Sequence, residues 1–527
     1  MVYEYLNLDR IQSLYKAFVS NVSEKKHATV IASASALVLV YYAYDRIIRP
    51  PRALRNIPHI GYFDFIKSSV QKEPLAHFSK RLIMPILEKN ESNGVYMRPN
   101  PFGWAVYITQ PEAIKTLLLK IDVFPKVDVV HGAEGTLGVR FTRGPNLVFL
   151  NGPEWRKQRR IATPAFRRSL PVQLFGNLTQ TMFKTMETMD STINVTKMME
   201  RWTLDAIGKA AFGFDFHAIE DDNGEWVVTY NNIMNGHVDP WFVFFPQLEQ
   251  KFLWMFPKRQ KIHEDLTRFL HLMDNLIENK RKEIKEKKAN FDIEDNEKDL
   301  LQLLIEGEEE EGILTNEELK ANFCLFFVAG HDTTANALAF ILYYLAIHQD
   351  IQQKARDEII RILGDEPTDV LPTIEDTKEM TYLNMVMKES MRATGPTIEI
   401  FPRRIQKDMD ICGTFIPKGT LVSVDVHNMH HSPHVWQNPE KFDPERFAPG
   451  GEAEEKNGMA WIPFSNGGRQ CIGMNFSLAE QRVVLSMMLR KYTWTLPENS
   501  AHKDGLLTTH RIIQSAQDLE MTFVKRY

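Results

Sequence analysis

The chain has 527 residues, 43% hydrophobic and 25% charged, with a formal net charge of -5. That length and balance describe a globular protein of one or more domains with a large core, and exclude a disordered chain or a small disulfide scaffold. Cys324, Cys412 and Cys471 are the three cysteines, far apart and without metal-ligand spacing, which suits a reducing compartment, and the mildly acidic balance offers nucleic acid no footprint.

The first predicted element is a membrane anchor over residues 28–48. Ala28 to Tyr44 carries no charge, and Ile47 and Ile48 extend the run past Asp45 and Arg46. This is the short end of what crosses a bilayer, where about 20 apolar residues are typical. Its alanines and serines leave a buried helix as the alternative. The polar leader 1–27 argues against a cleaved signal peptide. Arg10, Lys16, Lys25 and Lys26 before the run balance Arg46, Arg49, Arg52 and Arg55 after it, so charge does not orient the anchor. Asn21-Val22-Ser23 fits a glycosylation sequon but sits close to the anchor. Pro50 and Pro51 among those arginines make 49–56 a stiff basic hinge, because proline fixes the backbone torsion and cannot continue a helix.

Residues 57–527 read as the globular domain. Val95–Met97 and Trp104–Ile108 look like short strands bounded by Asn, Pro and Gly. Gly152 to Arg160 begins a helix with a basic turn, on which Trp155 and Arg159, four apart, share a face. From Trp226 to Phe256 aromatics crowd together, Trp241, Phe242, Phe245, Phe252 and Trp254 among them, as core packing or as a greasy surface. Lys280–Gly312 is a dense charge run, the mark of solvated surface.

Asn322 to Ile347 is hydrophobic on nearly every side, as a helix inside a core should be. One turn breaks the rule: Ala329-Gly330-His331-Asp332-Thr333-Thr334. A glycine and polar side chains within a buried helix cost stability, so this turn has a purpose. Gly330 leaves room for a bulky neighbour, while Asp332 and Thr333 offer an acid and a hydroxyl that can pass protons. Thr334 is expected to bond back to the preceding turn.

Glu389 and Arg392, three apart on a strongly helical segment, can pair on one face. Pro396 to Arg404 follows, and in a strand the neighbours Arg403 and Arg404 point to opposite faces. Ile416 to Thr420 is a turn between strands.

The chain is organised around Phe464-Ser465-Asn466-Gly467-Gly468-Arg469-Gln470-Cys471-Ile472-Gly473. Gly467 and Gly473 let backbone approach a flat, bulky ligand closely. A thiolate at Cys471 is a soft iron ligand that pushes electron density onto haem. An isolated cysteine is more often an inert buried residue, but here the whole spacing speaks.

That stretch resembles the haem-binding signature of the cytochrome P450 family, Phe-x-x-Gly-x-Arg-x-Cys-x-Gly, at Phe464, Gly467, Arg469, Cys471 and Gly473. Further landmarks resemble the family in order: Trp155 and Arg159 its Trp-x-x-x-Arg helix, Ala329 to Thr334 its oxygen-activation turn, Glu389 and Arg392 its Glu-x-x-Arg, and Phe442 to Phe447 the stretch supplying Arg446. The likeness runs from about Ile57 to the C-terminus. It implies a mostly α fold with small β-sheets (α+β) and one N-terminal transmembrane helix. The implied cofactor is haem b, ligated by the Cys471 thiolate, shielded by Phe464, and held at its carboxylates by Arg469, Trp155, Arg159 and one of Arg403 and Arg404, with Arg403 favoured. Ala329 and Gly330 would lie over the haem, and Thr333 and Asp332 would manage protons. Glu389, Arg392 and Arg446 would lock the cysteine loop, and Ala479 and Glu480 would open the helix after it. Thr397, Ile398, Glu399 and Ile400 would face substrate. Two departures from the family pattern stand out: one residue is inserted after Arg392, and Ala329 replaces the glutamate by which one subfamily of fatty-acid hydroxylases esterifies haem.

The resemblance implies a monooxygenase of the eukaryotic microsomal type, fungal members included, in the endoplasmic reticulum membrane with its catalytic domain cytosolic. It would use O2 to hydroxylate a hydrophobic small molecule: a fatty acid, steroid, terpenoid or xenobiotic. Electrons would come from a separate NADPH-cytochrome P450 reductase, with cytochrome b5 as a second donor, docked near Arg156 and Lys157. Alternatives are an O2-independent isomerase or dehydratase of lipid hydroperoxides, whose members usually lack the acid-alcohol pair, and a non-catalytic haem sensor or carrier.

Overall fold

The computed structural model describes residues 24–89, 93–142, 144, 146–168, 170–237, 239–287, 298–311, 315–456, 458–509 and 513–527. The Asn21 sequon, most of the leader, Val238 and the charge-run segments 288–297 and 312–314 lie outside the described residues.

Helices carry the fold and the sheets are small. The helices used below are α1 (Glu24–Ala43), α2 (Gly152–Arg168), α3 (Val195–Phe212), α4 (Glu225–His237), α5 (Pro257–Lys287), α6 (Asn316–Ile347), α7 (Thr381–Ala393) and α8 (Met474–Lys491). α8 starts at Met474, earlier than the sequence suggested, because Gly473 caps it directly after the cysteine loop.

α1 exposes Leu37 to Tyr42. Beyond it the hinge is not a loose tether: Asp45 is buried, accepts from Arg52 at 3.2 Å and pairs with Arg55.

The larger sheet has the order β1-β2-β7-β4 (Val95–Asn100, Gly103–Ile108, Leu421–Asp425 and Glu399–Arg404, the strands of the described residues being numbered in chain order). β1 and β4 run antiparallel to their neighbours, while β2 pairs β7 in parallel with Ala105 opposite Leu421. Register slips between Ile400 and Arg403, where Pro402 has no N–H to give the ladder. β3 (Thr192–Asn194), β9 (Glu520–Lys525) and β8 (Tyr492–Thr495) form a second sheet, and β5 (Met409–Ile411) with β6 (Thr414–Ile416) a hairpin.

α6 runs through the core. Thr315 and Glu318 close a capping box at its start, satisfying N–H groups that a helix N-terminus leaves unpaired. Among the described residues it is the one helix long and apolar enough to cross a membrane, and most of it is buried inside the fold. Phe212 of α3 packs edge-on to Phe323 of α6, ring centroids 4.1 Å apart. Phe216, Tyr230 and Phe269 close around Phe327.

Of the two readings of the aromatic stretch, surface holds for Trp241, Phe245, Phe252 and Trp254, which are exposed together with Met255, while Phe242 turns inward against Phe256 and Tyr230 lies in the core. The charge run is not merely solvated, because Lys280 pairs with Asp299, Arg281 with Glu308 and Lys298 with Glu306, tying α5 to the helix Leu300–Glu311.

Candidate active site

The cysteine loop is shaped by its own backbone. The Cys471 N–H donates to the Phe464 carbonyl at 2.9 Å, and the Phe464 ring lies 6.4 Å from Trp461, packed against the main core. Gly467 sits at φ +70, where a methyl group would lie 3.1 Å from the Leu118 carbonyl oxygen, so only glycine fits without strain. Gly473 has ordinary torsions, and its role is to cap α8 and give its N–H to the Cys471 sulfur. Cys471 is accessible, yet burial raises its thiol pKa, opposed by the Gly473 N–H, Arg159 and Lys126. Accessible surface on a group so enclosed means that the sulfur lines an interior cleft.

Cations gather around this sulfur. Arg469 stacks on the Trp155 indole at 3.9 Å and donates to the Leu150 carbonyl at 2.6 Å. Arg403 is buried and Arg404 exposed, as opposite strand faces require; Arg404 donates to the Gly419 carbonyl. Lys126, which sequence reasoning passed over, is bridged to Arg403. Its backbone N–H donates to Asn151 Oδ1 at 2.9 Å, the oxygen that also accepts from Arg469. Burial first, and then Arg469, Arg403 and Arg159, push the Lys126 pKa down to about 7. Burial and the Arg403 and Arg159 charges lower Arg469 to about 9, and burial lowers Arg403 to about 10. Among the described residues no carboxylate pairs with Lys126, Arg159, Arg403 or Arg469. Clustered, desolvated cations are unfavourable unless an anion joins them.

The polar turn of α6 splits by face. Ala329 is accessible within a mostly buried helix, and Asp332 and Thr333 are half-buried. Gly330 does not look into that opening: a methyl group there would lie 2.9 Å from Ile207 Cδ1, so its missing side chain lets α3 pack close. The expected back-bond to the preceding turn is made by Thr333 rather than by Thr334. Thr333 bonds back to the Ala329 carbonyl at 2.7 Å, whereas Thr334 reaches Ser477 of α8 at 2.9 Å. Thr334 faces the neighbouring helix, so a better partner than its own turn lies within reach. Burial, then the Glu200 charge, raises the Asp332 carboxyl to about 7.

A family model for cytochrome P450 matches residues 94–523. The chain belongs to the cytochrome P450 family. It is similar to cytochrome P450 3A29 of Sus scrofa, 26% identical over 514 residues that cover 94% of this chain and 96% of the relative. Cytochrome P450 3A9 of Rattus norvegicus is 30% identical, over 73% of this chain and 76% of its own. Cytochrome P450 4F8 of Homo sapiens is 28% identical, over 80% of this chain and 81% of its own. The crystal structure of the cytochrome P450DA heme domain superimposes with a TM-score of 0.72 at 23% identity, covering 92% of this chain and 99% of that one, which shows the fold. Cytochromes P450 are haem-thiolate proteins whose iron a cysteine ligates, and they are typically monooxygenases that take O2, a small-molecule substrate and a redox partner. The donors of this chain fit haem: an accessible thiol, and in the cation cluster about Lys126 the buried Arg403 Nε and Nη2, two donors with no protein partner among the described residues.

In this P450 a buried ion cluster ties α7 to the segment 430–446. Glu389 accepts from Arg392 at 2.7 and 2.9 Å and from the Asp443 N–H at 2.8 Å, and lies 3.4 Å from Arg446. Arg392 also donates to the His430 carbonyl, and Arg446 to that of Asn438. Glu389 and Arg392 have fully buried side chains. Glu399, expected near substrate, instead pairs with the buried Arg98 of β1, because each is the other's counter-charge. Arg156 and Lys157, expected to be unpaired, lie beside Asp122 at 2.8 Å and Glu318 at 3.9 Å.

Proposed function

We propose that this P450 is a membrane-anchored monooxygenase that inserts one oxygen atom of O2 into a carbon–hydrogen bond of a fatty acid, steroid, terpenoid or hydrophobic foreign compound. The observation that carries the reading is the gathering of Arg159, Arg403 and Arg469 about Lys126, with Lys126 and Arg159 close enough to act on the accessible Cys471 thiol. Cys471 would hold haem b, and those cations, with Trp155 supporting Arg469, would take its two carboxylates. Bound there, haem supplies the redox chemistry, and the thiolate pushes electron density onto its iron. Asp332 and Thr333 hold and pass the protons that oxygen cleavage consumes, and their presence favours this reading over an O2-independent isomerase.

Electrons arrive from NADPH-cytochrome P450 reductase, with cytochrome b5 as a second donor, at the basic face of α2. Because Arg156 and Lys157 carry acidic neighbours, docking there means exchanging those partners for the donor's acids. Residues 28–48 anchor the chain in the endoplasmic reticulum membrane, with 49–56 as hinge and 57–527 as cytosolic catalytic domain. The exposed run Leu37 to Tyr42 and the exposed Trp241, Phe245 and Trp254 are surfaces that lipid would cover.

The test is spectroscopic. Purified full chain, reduced under carbon monoxide, gives the red-shifted Soret band of a thiolate-ligated haem, and Cys471→Ser loses it. A well-folded, haem-loaded wild type without that band would sink the proposal.

A further inference from the structure

Beneath the polar turn of α6 lies a cluster that the reading above does not use. His331 is buried, its ring edge-on to Tyr230 of α4 with centroids 5.2 Å apart. Its Nδ1 lies 2.8 Å from Thr203 Oγ1 of α3, and its Nε2 lies 3.4 Å from Asp332 Oδ1. Thr203 Oγ1 is also 2.9 Å from the Met199 carbonyl oxygen and 3.2 Å from that of Glu200.

Counting protons fixes the direction of these bonds. A hydroxyl has one proton to give. The Thr203 oxygen faces carbonyl oxygens, which cannot donate, so its proton must lie towards the helix backbone or the oxygens would oppose each other. Towards His331 it can then only accept, and Nδ1 must carry the ring proton. A neutral imidazole has one N–H and one bare nitrogen. Burial holds the ring neutral, lowering its pKa to about 3. Nε2 is therefore an acceptor, and against a carboxylate it would set lone pair to lone pair. The contact is favourable only when the proton sits on Asp332.

We propose that His331 is a positioning residue: with its ring proton committed to Thr203, it presents a bare Nε2 to Asp332 and so keeps that carboxyl a proton donor. The other groups facing the pair act in the same sense. Glu200 of α3, whose own carboxyl burial raises to about 7, adds negative charge as it ionises, and Tyr230 of α4 has a buried hydroxyl without a protein partner among the described residues; neither brings a cation that would favour the carboxylate. When Asp332 gives up its proton, the facing lone pairs favour its return, which readies the acid for another turnover.

This inference rests on Asp332 being the proton source in the proposed reaction, but its test does not need turnover. In the haem-loaded full chain, the infrared carbonyl stretch of protonated Asp332, assigned by its loss in Asp332→Asn, is followed against pH. Thr203→Val removes the acceptor for Nδ1, releases the other tautomer and should lower the protonation midpoint by about one pH unit or more. Thr203→Ser keeps the bond and should match the wild type. An unchanged midpoint in a folded Thr203→Val protein overturns the inference. Should that variant not fold, nitrogen-15 spectra of histidine-labelled wild type decide: His331, assigned by loss in His331→Asn, must be protonated at Nδ1, and an Nε2–H ring or an imidazolium overturns the idea. Failure of the carbon monoxide spectrum would instead bring down the monooxygenase reading and leave the tautomer result standing.

Discussion

The guanidinium of Arg469 lies over the indole face of Trp155, 3.9 Å from its centroid, although the two come from the cysteine loop and from α2. The stack fixes one member of the cation cluster relative to Cys471. A desolvated cation–π contact contributes roughly 2 kcal/mol. Trp155→Leu should therefore speed haem loss to an acceptor globin by up to about thirtyfold, with Trp155→Phe intermediate. Equal loss rates in all three proteins would remove the stack from haem retention.

Glu389 is the shared counter-charge of Arg392 and Arg446. Glu389→Gln keeps the shape but leaves buried guanidinium charge uncompensated, which costs about 3–5 kcal/mol. A clear fall in the denaturant midpoint, with less haem bound per chain, is expected. A midpoint within error of the wild type would show that the buried cluster is not what ties α7 to the segment 430–446.

The two signature glycines should behave differently. Gly467→Ala meets both positive φ and the Leu118 carbonyl at 3.1 Å, and should destabilise by more than about 1 kcal/mol. At Gly473 a methyl group meets only Phe166 at 3.8 Å, an ordinary contact, and Gly473→Ala should fold nearly as well. Thermal unfolding of the two variants compares them directly.

The neighbouring threonines separate function from stability. Thr334 links α6 to Ser477 of α8, so Thr334→Val should cost about 1 kcal/mol of stability. Thr333 bonds only within its own turn; Thr333→Ala should melt near the wild type yet release more hydrogen peroxide per NADPH consumed. Peroxide assays and melting curves that moved together in both variants would refute the division.

Asp332 gives the stability of the fold a pH slope. Its folded-state pKa is raised from 3.8 to about 7 by burial and then by Glu200, so between those values the native state holds a proton that the unfolded chain has lost. Stability contributed by this group is therefore greatest at the acid end and falls as pH rises through that window. Asp332→Asn, which does not titrate, should flatten the slope seen by denaturant unfolding from pH 4 to about 7. An identical slope in the variant would mean that the carboxyl titrates normally.

Much was legible in the chain because it depends on local chemistry. The spacing of Phe464, Gly467, Arg469, Cys471 and Gly473 marked the thiol loop, and the polar turn inside an apolar run marked α6. Lys126, Thr203 and His331 were not legible: each is a single polar residue whose meaning depends on neighbours far along the chain. Glu399 reads as substrate-facing until β1 places Arg98 against it.

Sequence alone determined the family, the ligand cysteine and the order of the elements, since a motif is a local pattern of torsional freedom and donor chemistry. Tertiary structure decided which side of α6 each residue serves. A helix turns by about 100° per residue, so Ala329 and Gly330, or Thr333 and Thr334, are adjacent in the chain yet meet different neighbours, and only the packing of α3 and α8 says which.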